Sequence, residues 1–395
     1  MRNKYTKYIV VLLIIMCTSN IFALENPKNE RSSLASTARS YILMEECSGK
    51  VLLEYNADEP LPPASITKVM TLLLINEAVE TGKINWDDKV TISEHAAHMG
   101  GSQVFMEPGE EQTVRDLVKC ICIASANDAA VAMSEYIAGS EDSFVELMNK
   151  RAKELGMENT VFKNACGLHI DGHVSTARDI AIMSRELVKD HPEITKTLTT
   201  WMDTITHKTR RGESVFGLSN TNKMLKWYNG ITGLKTGYTP QARHCVSATA
   251  KRDEMGLVAV IMGAENGKIR FKEAASLLDY GFSNYKVKVG PIIGTVVGEA
   301  PVKRGDVEVI KVATKETKSF IVPKEDTTSE LTYEIQCNEK LTVPITQGDV
   351  VGEIIYMMNG KEIGRGDIVS TMNVNKATLK QMIPFSVKRF FRISK

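Results

Sequence analysis

Three short motifs set far apart in the chain constrain its fold more than any other feature: Ser65-Ile66-Thr67-Lys68, Ser125-Ala126-Asn127 and Lys235-Thr236-Gly237. Ser125 lies 60 residues after Ser65, and Lys235 a further 110. Their residue types are the parts of a serine acyl-transfer site that uses lysine as its base, so the chain has to fold in a way that gathers them. A Ser-x-x-Lys match alone means little, because roughly one or two arise by chance in a chain of this length. Ser283-Asn284-Tyr285-Lys286 is such a match, with no Pro-rich entry, no following helix and no partner motifs. Lys-Thr-Gly occurs once.

Each motif supplies something the chemistry needs. A serine hydroxyl is a poor nucleophile at neutral pH unless a base takes its proton as it attacks. Lys68, three residues on from Ser65, lies one helical turn away on the same face. It serves only when neutral, and burial beside other cations such as Lys235 is expected to lower its pKa from the usual ~10.4. Ser125 offers a hydroxyl able to relay a proton to a leaving amine, and Asn127 an amide able to hold a substrate carbonyl; Asn127 or Asp128 also suits a helix cap. Lys235-Thr236-Gly237 is expected on an edge strand along which an extended peptide lies, with Lys235 and Thr236 binding a carboxylate and Gly237 leaving room for close approach. The backbone N–H groups of Ser65 and Tyr238 are candidates for an oxyanion hole.

The first 23 of the 395 residues carry Arg2, Lys4 and Lys7, an apolar run from Ile9 to Met16, and Ile21-Phe22-Ala23 as a cleavage site, which reads as a secretory signal. The apolar run is shorter than the ~20 residues a spanning helix needs. Removing residues 1–23 takes three bases and no acid from the 49 basic and 48 acidic residues, leaving a near-neutral chain with nothing to suggest a nucleic-acid partner. The remaining cysteines are scattered through a chain large enough not to need cross-links, so mostly free, buried thiols are expected.

Pattern reading divides the chain into residues 24–285, 286–374 and 375–395. The first part opens with two strands around Cys47-Ser48-Gly49-Lys50. A helix with Ser65 in its first turn follows. Helices over Thr113–Ile123 and Asp128–Ile137 have Ser125-Ala126-Asn127 at the break between them. Further helices fall over Phe144–Leu155 and Ala177–Val188. Strands over Cys245–Ala250 and Gly256–Gly263 then precede a helix over Ile269–Tyr280. That order predicts α+β architecture, an antiparallel sheet with helices packed on it. Val, Thr, Ile and Gly with turn punctuation predict a separate all-β module over 286–374. The last stretch has Lys376, Lys380, Lys388, Arg389, Arg392 and Lys395 with no acid. Leu379, Met382, Ile383, Val387, Phe390 and Phe391 share one helical face, which suits an anionic membrane surface.

With these residues in place the chain resembles the low-molecular-mass penicillin-binding proteins, specifically serine-type D-alanyl-D-alanine carboxypeptidases of the S11 type. The resemblance extends to Phe162-Lys163-Asn164, Gly167-Leu168, Ser175-Thr176-Ala177-Arg178-Asp179, Gly233 to Thr239 and Ile269-Arg270-Phe271. It implies a β-lactamase/transpeptidase-like domain, with helices on both sides of the antiparallel sheet, followed by a small all-β domain. It also implies removal of the last D-alanine from a peptidoglycan stem pentapeptide through a Ser65 acyl-enzyme, acylation of the same serine by β-lactams, and a role for Arg270 in holding the terminal carboxylate. No cofactor or metal is implied, and the place of work is the outer face of the cytoplasmic membrane or the cell wall. Cys166 and Cys122 depart from the family pattern near the site.

Three rivals remain to be weighed. A class A-like β-lactamase needs a Glu-x-x-Leu-Asn loop, and none stands between Asn127 and Lys235. A zinc peptidase has His169 with His173, or His95 with His98, but no third ligand or metalloprotease helix. A non-catalytic penicillin-binding cell-wall protein is compatible with the β module and basic tail, though not with an intact set of motifs.

Overall fold

The computed structural model describes residues 32–326, 330–338 and 341–378. The expected export signal at 1–23, and residues 379–395 of the expected basic helix, lie outside the described residues. Residues 375–378 correct the start of that helix. Lys376 bridges Gly305, and the Ala377 N–H donates to the Arg304 carbonyl at 2.9 Å, so these backbone groups find partners on the β module and not within a helical turn.

The first part of the chain is built on a five-stranded sheet in the order Val51–Tyr55, Ser40–Glu45, Met255–Ala264, Arg243–Arg252, Ile231–Thr239, with antiparallel neighbours throughout. All ten residues of the central strand Met255–Ala264 are buried, which explains why it reads as one continuous apolar run. Alternate side chains serve opposite faces. Ile42, Met44, Val258, Val260 and Met262 join the core of the helical lobe. Tyr41, Leu43, Leu257, Ala259 and Ile261 pack under the helix Gly267–Asn284, through Phe271, Ala274, Leu277 and Leu278. Helices therefore cover both faces, as expected.

At the centre of the lobe runs the helix Lys68–Glu80, with nine of its thirteen residues buried. A helix apolar on most sides is a core helix, and it is surrounded here by Asn127–Ala138, Glu141–Glu154 and Ala177–Asp190. Ser65 precedes this helix, in a 3₁₀ turn over Ala64–Thr67. One hairpin, Met202–Thr209 with Gly212–Ser219, has no counterpart in the sequence reading.

The chain then leaves the sheet. Tyr285–Val289 pairs with Ser319–Pro323, and a second five-stranded antiparallel sheet follows, built around Ile310, Val312, Val351, Ile354, Tyr356 and Ile368.

Candidate active site

The three motifs converge where the 3₁₀ turn, the end of a helical segment and the sheet edge meet. Strand Ile231–Thr239 is the last in its sheet, so one side of Lys235-Thr236-Gly237 has no strand partner among the described residues. Gly237 matters for a reason other than the one its position suggests. A methyl group there would come within 2.9 Å of the Pro63 carbonyl oxygen and 3.2 Å of the Ser65 nitrogen. The space is already taken by the turn that carries Ser65, and glycine lets strand and turn touch.

Lys68 is fully buried, and its Nζ lies 3.3 Å from Ser65 Oγ, 2.6 Å from Asn127 Oδ1 and 2.6 Å from the Cys166 carbonyl oxygen. Burial lowers its pKa to about 8, against the raising influence of Cys166 and Asp128. The expected coupling to Lys235 is also present, since the Lys68 charge adds to the burial that pushes Lys235 well below the usual lysine value. Two of the three partners of Lys68 are carbonyl oxygens, which only accept. A neutral amine gives them its two N–H bonds and is left with its lone pair towards Ser65 Oγ. That is the arrangement a general base needs.

Ser125 is delivered by a backbone irregularity. The helix Val114–Lys119 widens into a π-type turn over Cys120–Ala124, and Ser125 follows in a left-handed conformation, φ 61° and ψ 33°. Non-glycine residues in such conformations cluster at functional sites. Ser125 Oγ accepts from Lys235 Nζ at 2.6 Å, which joins the second motif to the third. Lys235 Nζ also reaches the Thr236 carbonyl oxygen at 3.3 Å, and Thr236 Oγ1 donates to Thr221 Oγ1 at 2.8 Å.

The expected capping role of Asn127 or Asp128 is overturned. The helix Asn127–Ala138 starts after Ala126 with no side-chain cap, because both side chains are engaged elsewhere. Asn127 Oδ1 holds Lys68, and its Nδ2 donates to the Gly100 carbonyl at 2.6 Å. The partners fix which end of the amide is oxygen and leave one N–H for a substrate carbonyl. Asp128, with no exposed surface, accepts from the N–H groups of Val104 at 3.1 Å, Met106 at 3.4 Å and Ala129 at 3.0 Å. It anchors the loop whose Gly100 and Ser102 carbonyls in turn hold Asn127.

Arg270 lies in the first turn of Gly267–Asn284, and its Nη1 donates to the Gly237 carbonyl at 2.9 Å and the Cys245 carbonyl at 3.2 Å. It is not a surface ion-pair residue. Its Nε is buried without a hydrogen-bond partner, and burial lowers its pKa to about 10. Its charge is one of the influences that depress Lys235. Two partly desolvated cations beside one strand, bonded to neutral oxygens, make a place where an anion is favoured. Tyr238, next along the strand, is more than half exposed and stacks on His244 with ring centroids 4.5 Å apart.

The profile of the D-alanyl-D-alanine carboxypeptidase family matches residues 27–266 of this sequence, and that of the penicillin-binding protein 5 C-terminal domain matches residues 293–376. The chain belongs to the D-alanyl-D-alanine carboxypeptidase family. It is 41% identical over 377 residues to D-alanyl-D-alanine carboxypeptidase DacF of Bacillus subtilis, covering 95% of this chain and 96% of that one. D-alanyl-D-alanine carboxypeptidase DacC of Escherichia coli is 37% identical over 86% of this chain and 84% of its own. Penicillin binding protein 5 from Haemophilus influenzae has a similar solved structure, with a TM-score of 0.72 at 31% identity, covering 86% of this chain and 98% of that one. The expected architecture, a β-lactamase/transpeptidase-like α+β domain followed by a small all-β domain, is the one these relatives share.

Gly167, Cys166 and Cys122 show how this carboxypeptidase packs the surroundings of its site. At Gly167, φ +84°, a methyl group would run into the Ala64 carbonyl oxygen, so the loop carrying Cys166 lies directly on the turn that carries Ser65. The Cys166 thiol is buried and its pKa raised by burial, while Cys122, also buried, is pushed up to about 12. Both are poor nucleophiles. It is the backbone of Cys166, not its sulfur, that takes part in the site. All six cysteines among the described residues are free.

The histidines weighed as zinc ligands have other partners. His173 contacts Thr67 and the Lys163 N–H, His169 lies near Asp171, His95 contacts Glu135, and His98 contacts Glu94. The roles of Asp128 and Gly167 escaped the sequence reading, which took the first only as a helix cap and the second only as part of the family resemblance. Their type and position signal nothing until the fold shows what lies against them.

Proposed function

We propose that this carboxypeptidase removes the terminal D-alanine of a peptidoglycan stem pentapeptide in two steps, with the residues of the three motifs in distinct roles. The substrate lies extended along Ile231–Thr239, its terminal carboxylate held by Lys235, Thr236 and Arg270. Neutral Lys68 takes the Ser65 proton as Oγ attacks the carbonyl between the two D-alanines. The N–H groups of Ser65 and Tyr238 stabilise the oxyanion, and Asn127 holds the substrate amide. The proton taken up by Lys68 is handed on through the hydroxyl of Ser125, itself bonded to Lys235, to the leaving D-alanine amine, which leaves Lys68 neutral again. Water then hydrolyses the Ser65 ester and regenerates the serine. A β-lactam acylates the same oxygen.

The observation that carries this reading is the set of three oxygens around Lys68 Nζ, which leaves a neutral amine with its free electron pair towards Ser65. The test is release of D-alanine from a soluble pentapeptide, together with mass-spectrometric location of a labelled penicillin. Stoichiometric D-alanine release and label on the peptide containing Ser65 are expected. A label on Ser283, or no release of D-alanine, would sink the assignment.

Export and membrane attachment belong to the same proposal, supported by sequence. Residues 1–23 carry the features of a secretory signal, and residues 379–395 contain five cations, no acid and an apolar set that includes Phe390 and Phe391. The enzyme then works at the outer face of the cytoplasmic membrane, beside its cell-wall substrate. Truncation after residue 378 spares the contacts of Lys376 and Ala377 with the β module. In a chain lacking residues 1–23, that truncation is expected to abolish co-sedimentation with anionic vesicles while pentapeptide hydrolysis persists. Undiminished vesicle binding would transfer the contact to the β module.

A further inference from the structure

The turn that carries Ser65 is held by more than its own helix. Thr67, between the nucleophile and the base, is completely buried, and its Oγ1 lies 2.8 Å from Nε2 of His173, itself 3% exposed. The other ring nitrogen, Nδ1, accepts the backbone N–H of Lys163 at 3.3 Å. A nitrogen that accepts carries no proton, so the proton of the neutral ring resides on Nε2 and is donated to Thr67 Oγ1. The Phe162 ring meets the imidazole edge to face, with centroids 5.9 Å apart. The backbone on either side of His173 is equally fixed. Val174 pairs with Val161, and Ser175 pairs with Leu61, on the segment that leads into the nucleophile's turn.

We propose that His173 is a positioning residue for acylation: through Thr67 it fixes the turn that sets Ser65 Oγ against Lys68 Nζ. This rests on the roles of Ser65 and Lys68 given above. The same loop grips the turn at neighbouring points, with Thr71 Oγ1 donating to the Ala165 carbonyl at 2.6 Å and Lys68 Nζ to that of Cys166. Among these contacts the His173 bond alone falls between nucleophile and base. Lys163 and His169 are the charged or titratable groups that face the ring, and with burial as the larger cause they lower its pKa to about 4. The ring is therefore neutral across the range in which the enzyme works.

The experiment compares acylation by a labelled penicillin in the full chain with His173→Phe, His173→Gln, Thr67→Val and the combination of His173→Phe with Thr67→Val. Phenylalanine keeps the ring and loses both hydrogen bonds, whereas glutamine keeps a donor near the position of Nε2. The first-order acylation constant is expected to fall by roughly 100-fold in His173→Phe but only about threefold in His173→Gln, with the dissociation constant of the preceding complex unchanged. The double variant is expected to be no slower than the slower single variant, because both remove one interaction. Wild-type acylation by His173→Phe, a glutamine variant as slow as phenylalanine, or additive losses in the double variant would each overturn the role. If His173→Phe does not fold, Thr67→Val and His173→Gln decide the matter by the same rates. Label on a residue other than Ser65 in the wild-type protein would instead overturn the nucleophile assignment, and this role with it.

Discussion

Ser65→Ala is expected to leave a folded protein that takes up no labelled penicillin and releases no D-alanine, a loss of roughly 10⁶-fold in turnover. The change deletes one oxygen from Ser65, the one partly exposed residue of its turn. The helix behind it is held by Val69, Met70, Leu72 and Leu73, all buried, so melting temperature is expected to stay near that of the wild type. The other members of the site offer no replacement. The Ser125 hydroxyl is bonded to Lys235, and the Cys166 thiol is buried and held in its protonated form. Covalent label at the wild-type rate in this variant would show that another atom is the nucleophile.

Lys68→Arg is expected to lower acylation by about 10²–10⁴-fold, the range that general-base catalysis contributes. Arginine keeps the positive charge but cannot give up its proton at any pH the enzyme survives. The pH profile separates loss of the base from simple crowding. With the Lys68 pKa at about 8, neutral amine becomes scarcer as pH falls. Wild-type acylation is therefore expected to drop about tenfold per pH unit below 8 and to level off above it. In Lys68→Arg, and in the uncharged Lys68→Met, that limb is expected to vanish. If the limb persisted in both variants, the titrating base would have to be sought elsewhere, with Lys235 first in line.

Much of this site was legible because its chemistry forces particular residue types into short motifs. The edge strand at Lys235 could be anticipated from the Lys-Thr-Gly motif, whose glycine reads as room for close approach. The fold class followed from apolar segments read at Gly256–Gly263 and Ile269–Tyr280, which fall within the strand Met255–Ala264 and the helix Gly267–Asn284. The hairpin Met202–Thr209 with Gly212–Ser219 was not legible. Its strands are mostly polar, and only Ile205, His207 and Leu218 are buried, so no apolar alternation announces it. Asn127 and Asp128 misled for a different reason. An Asx residue at a helix start is a local signal for capping, and here a buried lysine and a loop 24 residues upstream compete for the same side chains and win. Gly237 was read correctly as a place of close approach, but what approaches is the chain itself.

Lys68, Lys235 and Arg270 are largely withdrawn from water, and the hydrogen bonds that hold them go to neutral oxygens. Desolvating positive charge without a carboxylate in contact costs folding free energy, and the lowered pKa values of all three are the mark of that cost. Stability and the proposed catalysis would therefore pull on these positions in opposite directions. Neutral, well-packed replacements are expected to relieve that cost and to silence the enzyme. A lineage under no pressure to trim its cell wall would be expected to lose these charges early, and to gain a more stable protein as it did so.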